Sequence, residues 1–477
     1  MNKIKIGLVG TYRLDFTGDY IGQYKKSISE MENLSKEFNF DLHIIKEGLV
    51  TSEDAQKAAN EFEEKKVNIV MLCVSCFPDG EIVIPLSKIK NSFLGLWAVP
   101  EPYMSGVLPL NSFVGINMFG SIIGEYLINE DHKFKWFFGN AEDELFIDRF
   151  KITLKAIKAL INLKDSKIAW IGGNAPHYHN QYFDERKILS KFGVKVESNC
   201  TIDEIENRMK KYTNSIVKKM GEEILSEAAY VSNAAKKVID TNARFYKAME
   251  DYIKENNFDA LSLSCWPRLP GMINMAVCST VGRLNDKGIV TACEGDVVGA
   301  VSMLLLKFIS NKETMFMDLS LFDEKDNSIL FWHCGPAAKC YANKDGLRLD
   351  QHFIMTDSTS KNGKRKGTVG DMIFKPQPAT VMRPNQDCER MFVFTGNFLD
   401  TKKEGFDGSR GWMGNLKLKD EKISARDLMN TIMVQRIQHH YPIVAGNFEN
   451  EIQEIAAWLN MDIVERIPYR PYFQNFK

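Results

Sequence analysis

Twice along its 477 residues this chain runs an apolar strand into glycine and then into an amphipathic helix, and that repeated opening limits the fold more than any other feature. The first opening is IKIGLVG at 4–10, followed after a polar loop by a helical stretch from about Gly22 to Phe38. The second is KIAWIGGN at 167–174, followed by the helical QYFDERKILSKFG and the strand VKVESN. Strands alternating with helical patterns specify parallel sheets covered by helices. The first alternation continues through FDLHIIKEG, the helical SEDAQKAANEFEEKK, and VNIVMLCVS, FLGLWAV and SFVGINM, which read as strands. It predicts an N-terminal α/β domain over 1–165. The second continues through a charged helical stretch at 202–256, the strands FDALSLSCW and GIVTACEGD, and the helix VVGAVSMLLLKFI. It predicts a central α/β domain over 166–312, so that the chain holds two doubly wound α/β domains.

From residue 313 the texture changes to short apolar or alternating runs (MFMDLSLFD, SILFWHCG, QHFIM, ATVMR, MFVFTGNF, YPIVAG) separated by Gly, Asn, Asp and Lys. That pattern predicts a C-terminal antiparallel β-barrel-like domain over 313–477, with a short helix, NEIQEIAAWLN, near its end.

Bulk properties remove several function classes. Lysine and arginine total 61 against 62 acidic residues, so the formal charge is −1, and no basic stripe offers itself to nucleic acid. No apolar run reaches the ~20 residues that cross a bilayer, so no membrane partner is expected. The opening MNKIKIGLVG lacks the basic head and long apolar body of a secretory signal, which predicts a cytoplasmic protein. Nine scattered cysteines suit a reducing compartment; Cys73 and Cys76 form one CxxC inside the strand-like IVMLCVSCF and read as buried small apolar groups. KNGKRKG at 361–367 reads as a solvated basic loop. Neither GLVGTYRLDFTG nor IGGNAPHYHN completes GxGxxG, and no P-loop or HExxH occurs, so no nucleotide cofactor is expected.

What remains is a set of ionisable residues that interrupt apolar runs: Glu294 in TACEGD, Asp318 in MFMDLS, His333 in LFWHCG and His440 in IQHHYP. Burying such a group is costly unless it is paired or bound to metal, so four of them gathered near domain junctions outline a candidate site. Singly, each has an ordinary alternative: a helix N-terminal charge for Glu294, a strand-edge charge for Asp318, a hydrogen-bonded core imidazole for either histidine.

These segments, in this order, resemble the L-fucose/L-arabinose isomerase family. ACEGD before an apolar helix, FMD with its aspartate 24 residues after Glu294, a strand bearing His333, and HHYPIV with a following helix reproduce the family's pattern. KIAWIGGN, KFGVKVE and NNFDALSLSCWPRLP are similar to the central domain of the fucose branch. The resemblance implies a divalent-metal-dependent aldose–ketose isomerase. Glu294 and Asp318 would be metal ligands and the acid/base pair, His440 a third ligand with His439 as its neighbouring alternative, and His333 a fourth or outer ligand. An oxygen-rich set with one or two imidazoles suits Mn²⁺, with Co²⁺ or Mg²⁺ as alternatives. The resemblance also implies a homo-oligomer with active sites shared between subunits.

The chemistry accounts for the residue types. Interconverting an aldose and a ketose moves one proton between C1 and C2 and another between their oxygens through a cis-enediol, work for two carboxylates beside a Lewis acid. The family's substrate-contacting Gln and His are not evident in TYRLDFTGDY or GINMFGS, which points away from fucose and arabinose. Trp266, Arg268 and Arg383 are candidates to face the sugar instead. A cationic group there would suit an anionic hexose, sulfonated or phosphorylated, such as sulfoquinovose. A non-catalytic sugar-binding protein and another metal-dependent sugar lyase are the alternative readings.

Overall fold

Five parallel strands, β1 (Lys5–Thr11), β2 (Asp41–Leu49), β3 (Ile69–Val74), β4 (Phe93–Ala98) and β5 (Phe134–Phe138), pair in the order β2-β1-β3-β4-β5. In the computed structural model, which describes residues 3–128, 132–354, 367–400 and 404–475, they form the sheet of one compact unit, 1–161; residues 162–477 form a second. β3 is buried along its whole length, which is why IVMLCV reads as an unbroken apolar run. Cys73 lies within it, and burial pushes its thiol up to about 12. The cysteines are all free thiols. SFVGINM, expected as a strand, is the start of the helix Ser112–Ser121. A short apolar run carries no period that separates a buried helix from a buried strand, and here the run packs Gly115, Ile116 and Phe119 inward at helical spacing.

The second unit begins with four parallel strands, β6 (Lys167–Ile171), β7 (Lys195–Glu197), β9 (Ala260–Leu263) and β10 (Val290–Ala292), ordered β10-β9-β6-β7. The chain runs outward from β6 in opposite directions, so the order reverses between β6 and β9. Loops at the carboxyl ends of strands flanking such a reversal border a crevice.

A closed antiparallel barrel follows. β16 (Arg390–Phe398), β15 (Gln377–Pro384), β19 (His440–Ala445), β11 (Thr314–Asp323), β12 (Ser328–His333) and β17 (Ser409–Leu418) pair in that order, and a β16–β17 ladder closes the ring of six. Closure leaves no edge to template aggregation. β8 (Tyr230–Val231), β13 (Arg348–Asp350) and β14 (Val369–Ile373) extend the sheet beyond β17, and the short β18 (Glu421–Lys422) and β20 (Asp462–Ile463) pair with β17 and β16. Met315, Met317, Ile329, Phe331, Phe394, Tyr441 and Ile443 belong to one buried apolar cluster that fills the barrel.

Strand alternation decides what faces outward. Met315 and Met317 fill the barrel, so Phe316 and Asp318 point to its other face. Asp318 is paired in register with His440, which shares that face. The helix Val297–Ser310 covers it, with Phe316 packed against Gly299, where an added Cβ would collide with the ring. The barrel wall and the carboxyl ends of the parallel strands thereby meet within one compact unit. Among the described residues no helix is long and apolar enough to cross a membrane. The basic run at 361–367 lies, but for Gly367, outside the described residues.

Candidate active site

Glu294 follows the carboxyl end of β10 and turns back with φ +60°, and Gly295 follows at φ +78°. Left-handed backbone at a glutamate costs about 1–3 kcal/mol and persists only where its surroundings fix it. Three hydrogen bonds do so. Gly295 N–H donates to the Leu263 carbonyl at 3.0 Å, Ala175 N–H to the Glu294 carbonyl at 3.3 Å, and the Trp170 indole to the Gly295 carbonyl at 3.1 Å. Gly295 passes so close to Gly173 and Asn174 that a Cβ would collide with the Gly173 carbonyl. The loop after β6 and the end of β9 thus hold the turn that aims Glu294.

The ligand atoms of Glu294, His333 and His440 lie within 4.8 Å of one another, and those of Asp318, His439 and His440 form a second such group. His440 Nε2 is shared between them, 3.3 Å from Glu294 Oε2 and 3.8 Å from Asp318 Oδ1. His440 is 1% exposed, and its ring stands 6.1 Å from that of His333, which is 2% exposed. His439 is more open, with Nε2 3.9 Å from the same Glu294 oxygen and Nδ1 3.0 Å from Asn180.

The two buried imidazoles both turn Nε2 to the site and differ in what their Nδ1 atoms meet. Asp296 Oδ2 lies 3.1 Å from His440 Nδ1, and an ionised carboxylate only accepts, so Nδ1 carries a proton, and Nε2, whose own proton a bound cation would replace, faces Glu294 and Asp318. The Gln181 amide nitrogen also lies 3.2 Å from the same Nδ1. At His333 the backbone N–H of Cys334 reaches Nδ1 at 2.9 Å and Cys334 Sγ lies 3.2 Å from the same nitrogen, an arrangement that favours a proton on Nε2. Asp296 is itself fixed: it caps the helix Val297–Ser310 through Gly299 N–H at 2.8 Å and takes two bonds from Arg383, at 2.7 and 3.2 Å.

Burial works against charge at each group, and the neighbours outweigh it. Glu294 is held well below the usual carboxylate range by His439 and His440, although burial alone would raise it. Asp296 is lowered likewise by Arg383 and His440. His440 is pushed up to about 9, chiefly by Asp296 and Glu294 against the opposing effect of burial. His333 reaches about 10 through Cys334, Asp318 and Glu294, again against burial.

Glu294 Oε2, Asp318 Oδ1, His333 Nε2 and His440 Nε2 are all buried without a hydrogen-bond partner. Buried polar atoms are rarely left unmatched, and four converging ones outline a place for a cation and for sugar oxygens. Two carboxylates and an imidazole lone pair fit a divalent ion, and a His333 Nε2–H fits a substrate oxygen.

The four residues singled out in the sequence therefore come together. The expected sugar contacts do not all join them. Trp266, just past β9, stands 6.3 Å ring to ring from Tyr178, whose hydroxyl pKa is raised by burial and by Glu294 and Asp318. Arg268 is exposed and paired with Asp203 at 2.9 Å. Arg383 is fully buried, with Asp296, the His440 carbonyl, Gln386 and Gln438 as acceptors. Sequence reasoning passed over Asp296, Tyr178, Gln181 and Asn174, whose two amide atoms are buried and unpartnered. Two signals were there to read: the helix-capping aspartate inside ACEGD, and the density of polar and aromatic residues in GGNAPHYHNQ directly after a strand.

No family model matches the chain. It is similar to proteins called sulfoquinovose isomerase. The relative from Priestia aryabhattai is 26% identical over 433 residues, which is 88% of this chain and 90% of that protein. Those from Alkalicoccus urumqiensis and Clostridium sp. (strain MSTE9) are 27% and 28% identical, over 87% and 85% of this chain and 90% of each relative. The aligned span is long enough to hold the parallel sheet, the barrel and the four converging residues together. Among solved structures, the XylFII molecule is 14% identical, with 66% of this chain and 96% of that one covered and a TM-score of 0.19, too low to relate the folds.

Proposed function

We propose that this chain is an aldose–ketose isomerase that interconverts sulfoquinovose and the corresponding 2-ketose with a divalent metal ion, Mn²⁺ in the first place, in the manner of the L-fucose/L-arabinose isomerase family. The observation that carries the reading is the convergence of Glu294, Asp318, His333 and His440, each with a buried atom left without a partner. The likeness to sulfoquinovose isomerases along most of the chain supports both reaction and substrate.

Glu294, Asp318 and His440 would hold the ion, and Co²⁺ or Mg²⁺ could take its place. When bound, a divalent ion supplies Lewis acidity toward the oxygens on C1 and C2 and offsets the negative charge of the enediolate. The chain's own groups do the rest. One carboxylate, Glu294 or Asp318, takes the proton from the carbon next to the carbonyl, and the other serves the oxygens, so that the cis-enediol collapses to either sugar. The His333 Nε2–H is placed to donate to a sugar oxygen. Asn174 offers a buried amide to hydroxyls, and Trp266 with Tyr178 offers an apolar wall to the pyranose face. Arg268 is the cationic candidate for the sulfonate: its exposed pairing with Asp203 is worth at most ~1 kcal/mol and yields readily to a competing anion. Arg383 acts on the sugar only through Asp296 and His440. A homo-oligomer with shared sites and a cytoplasmic location belong to the same reading, as does the division into 1–165, 166–312 and 313–477.

The test is ketose formation from sulfoquinovose, glucose 6-phosphate and neutral hexoses by chelated, Mn²⁺-reconstituted and Glu294→Gln protein. Activity on the sulfonated sugar that returns with Mn²⁺ and falls by about 10²–10⁴-fold in the variant supports the reading. Unchanged activity in the variant removes Glu294 from the chemistry, and a product of altered mass makes the chain a lyase.

A further inference from the structure

Behind His333 lies a second group of metal-binding side chains that the isomerisation does not use. Cys334 directly follows β12, Cys278 opens the helix Cys278–Asp286, and His352 lies just past β13. Their ligand atoms fall within 4.8 Å of one another, and the two sulfurs are 3.3 Å apart. Cys278 and His352 are each 2% exposed.

We propose that Cys278, Cys334 and His352 form a thiolate-rich site for a soft or borderline divalent cation of the zinc class, separate from the carboxylate site. Two thiolates on a tetrahedral zinc, with Zn–S near 2.3 Å, stand about 3.8 Å apart, so the pair needs to open by only a few tenths of an ångström. The donor sets divide the metals: sulfur and imidazole select Zn²⁺ or Cd²⁺, whereas Glu294, Asp318 and His440 suit harder Mn²⁺. Both sulfurs bind as thiolates, so binding releases to solvent whatever thiol protons they still carry, and a water completes the fourth position. Binding gives up the sulfur–sulfur hydrogen bond between Cys278 and Cys334 and the bond from the Ile354 N–H to His352 Nδ1 at 3.2 Å, the second because an imidazole ligating through Nε2 carries its proton on Nδ1. The ion ties three separate chain segments together. It does so one residue from His333, whose Nδ1 accepts the Cys334 N–H at 2.9 Å, and so fastens the strand end that presents His333 to the active site.

The test is a Cd²⁺ titration of the full-length, reduced, Mn²⁺-loaded protein, with all nine thiols confirmed beforehand, read by the ultraviolet thiolate-to-cadmium charge-transfer band. A band that saturates at one equivalent is expected, lost in Cys278→Ser and in Cys334→Ser, retained in Glu294→Gln, and no longer stoichiometric in His352→Gln. The proposal is overturned if no band appears, if it survives either cysteine substitution, or if His352→Gln leaves the titration unchanged. A band lost in Glu294→Gln would show that the thiolates do not bind Cd²⁺ independently of the carboxylate site, and would overturn the proposal of a separate site. None of these readings requires turnover, so failure of the isomerase assignment leaves the test intact.

Discussion

Asp296 Oδ2 lies 3.1 Å from His440 Nδ1 while the same carboxylate binds the fully buried Arg383 at 2.7 Å, so one acid orients the imidazole that faces Glu294 and Asp318 and neutralises a buried cation. Asp296→Asn should therefore weaken Mn²⁺ binding by about 10–100-fold although Asp296 points away from the ion. An electron paramagnetic resonance titration of free Mn²⁺ measures this directly; unchanged affinity would mean that another group orients His440.

Arg383→Met leaves the Asp296 carboxylate buried beside His440 with its strongest partner gone. Breaking a buried pair from one side costs about 3–5 kcal/mol. Urea unfolding should show a loss of that size, and Asp296→Asn combined with Arg383→Met should recover part of it.

The different Nδ1 partners of the two histidines, Asp296 at His440 and the Cys334 N–H at His333, separate their roles. His440→Gln should abolish stoichiometric Mn²⁺ binding, whereas His333→Gln should keep it and lower kcat, since Nε2–H of His333 is placed to donate to substrate. Equal loss of Mn²⁺ in both variants would make His333 an inner ligand.

Gly295→Ala combines a left-handed φ of +78° with a collision between the new Cβ and the Gly173 carbonyl. Backbone cannot yield as a side-chain tip does. The variant should lose stability by more than about 1 kcal/mol, measured by thermal unfolding, and should lose activity further because the turn aims Glu294.

Away from the site, Glu227 gives a pH prediction. Burial opposes its charge, but Arg283 at 2.8 Å and Lys287 at 2.9 Å hold its carboxyl below the usual range. A depressed carboxylate pKa contributes stability above the unfolded value of about 4.3, and that contribution disappears as pH falls through the folded pKa. Melting temperatures of wild type and Glu227→Gln should thus differ at neutral pH and converge below about pH 4. A gap that stays constant with pH would assign the effect to packing.

Much of this was legible in one dimension. IVMLCV announces a buried parallel strand because a strand covered on both faces is apolar at every position, and KIAWI follows it after its exposed first residue, Lys167. MFMD announces its own division, with methionines inward and aspartate outward, because side chains alternate along a strand. SFVGINM did not declare itself, since its short apolar run fits either period and packing alone made it a helix. Glu294, Asp318, His333 and His440 stood out because an ionisable group inside an apolar run needs a reason.

The sequence by itself determined which residues could hold charge inside this protein and which layers would carry them, because periodicity and burial cost are local properties. It could not assign their partners. That Arg383 bonds Asp296, that Asp296 lies against Nδ1 of His440, and that Cys278, Cys334 and His352 meet depend on contacts between distant segments, 56 residues apart for Cys278–Cys334 and 144 for Asp296–His440. Such contacts follow from strand register and barrel closure, which only the tertiary structure decides.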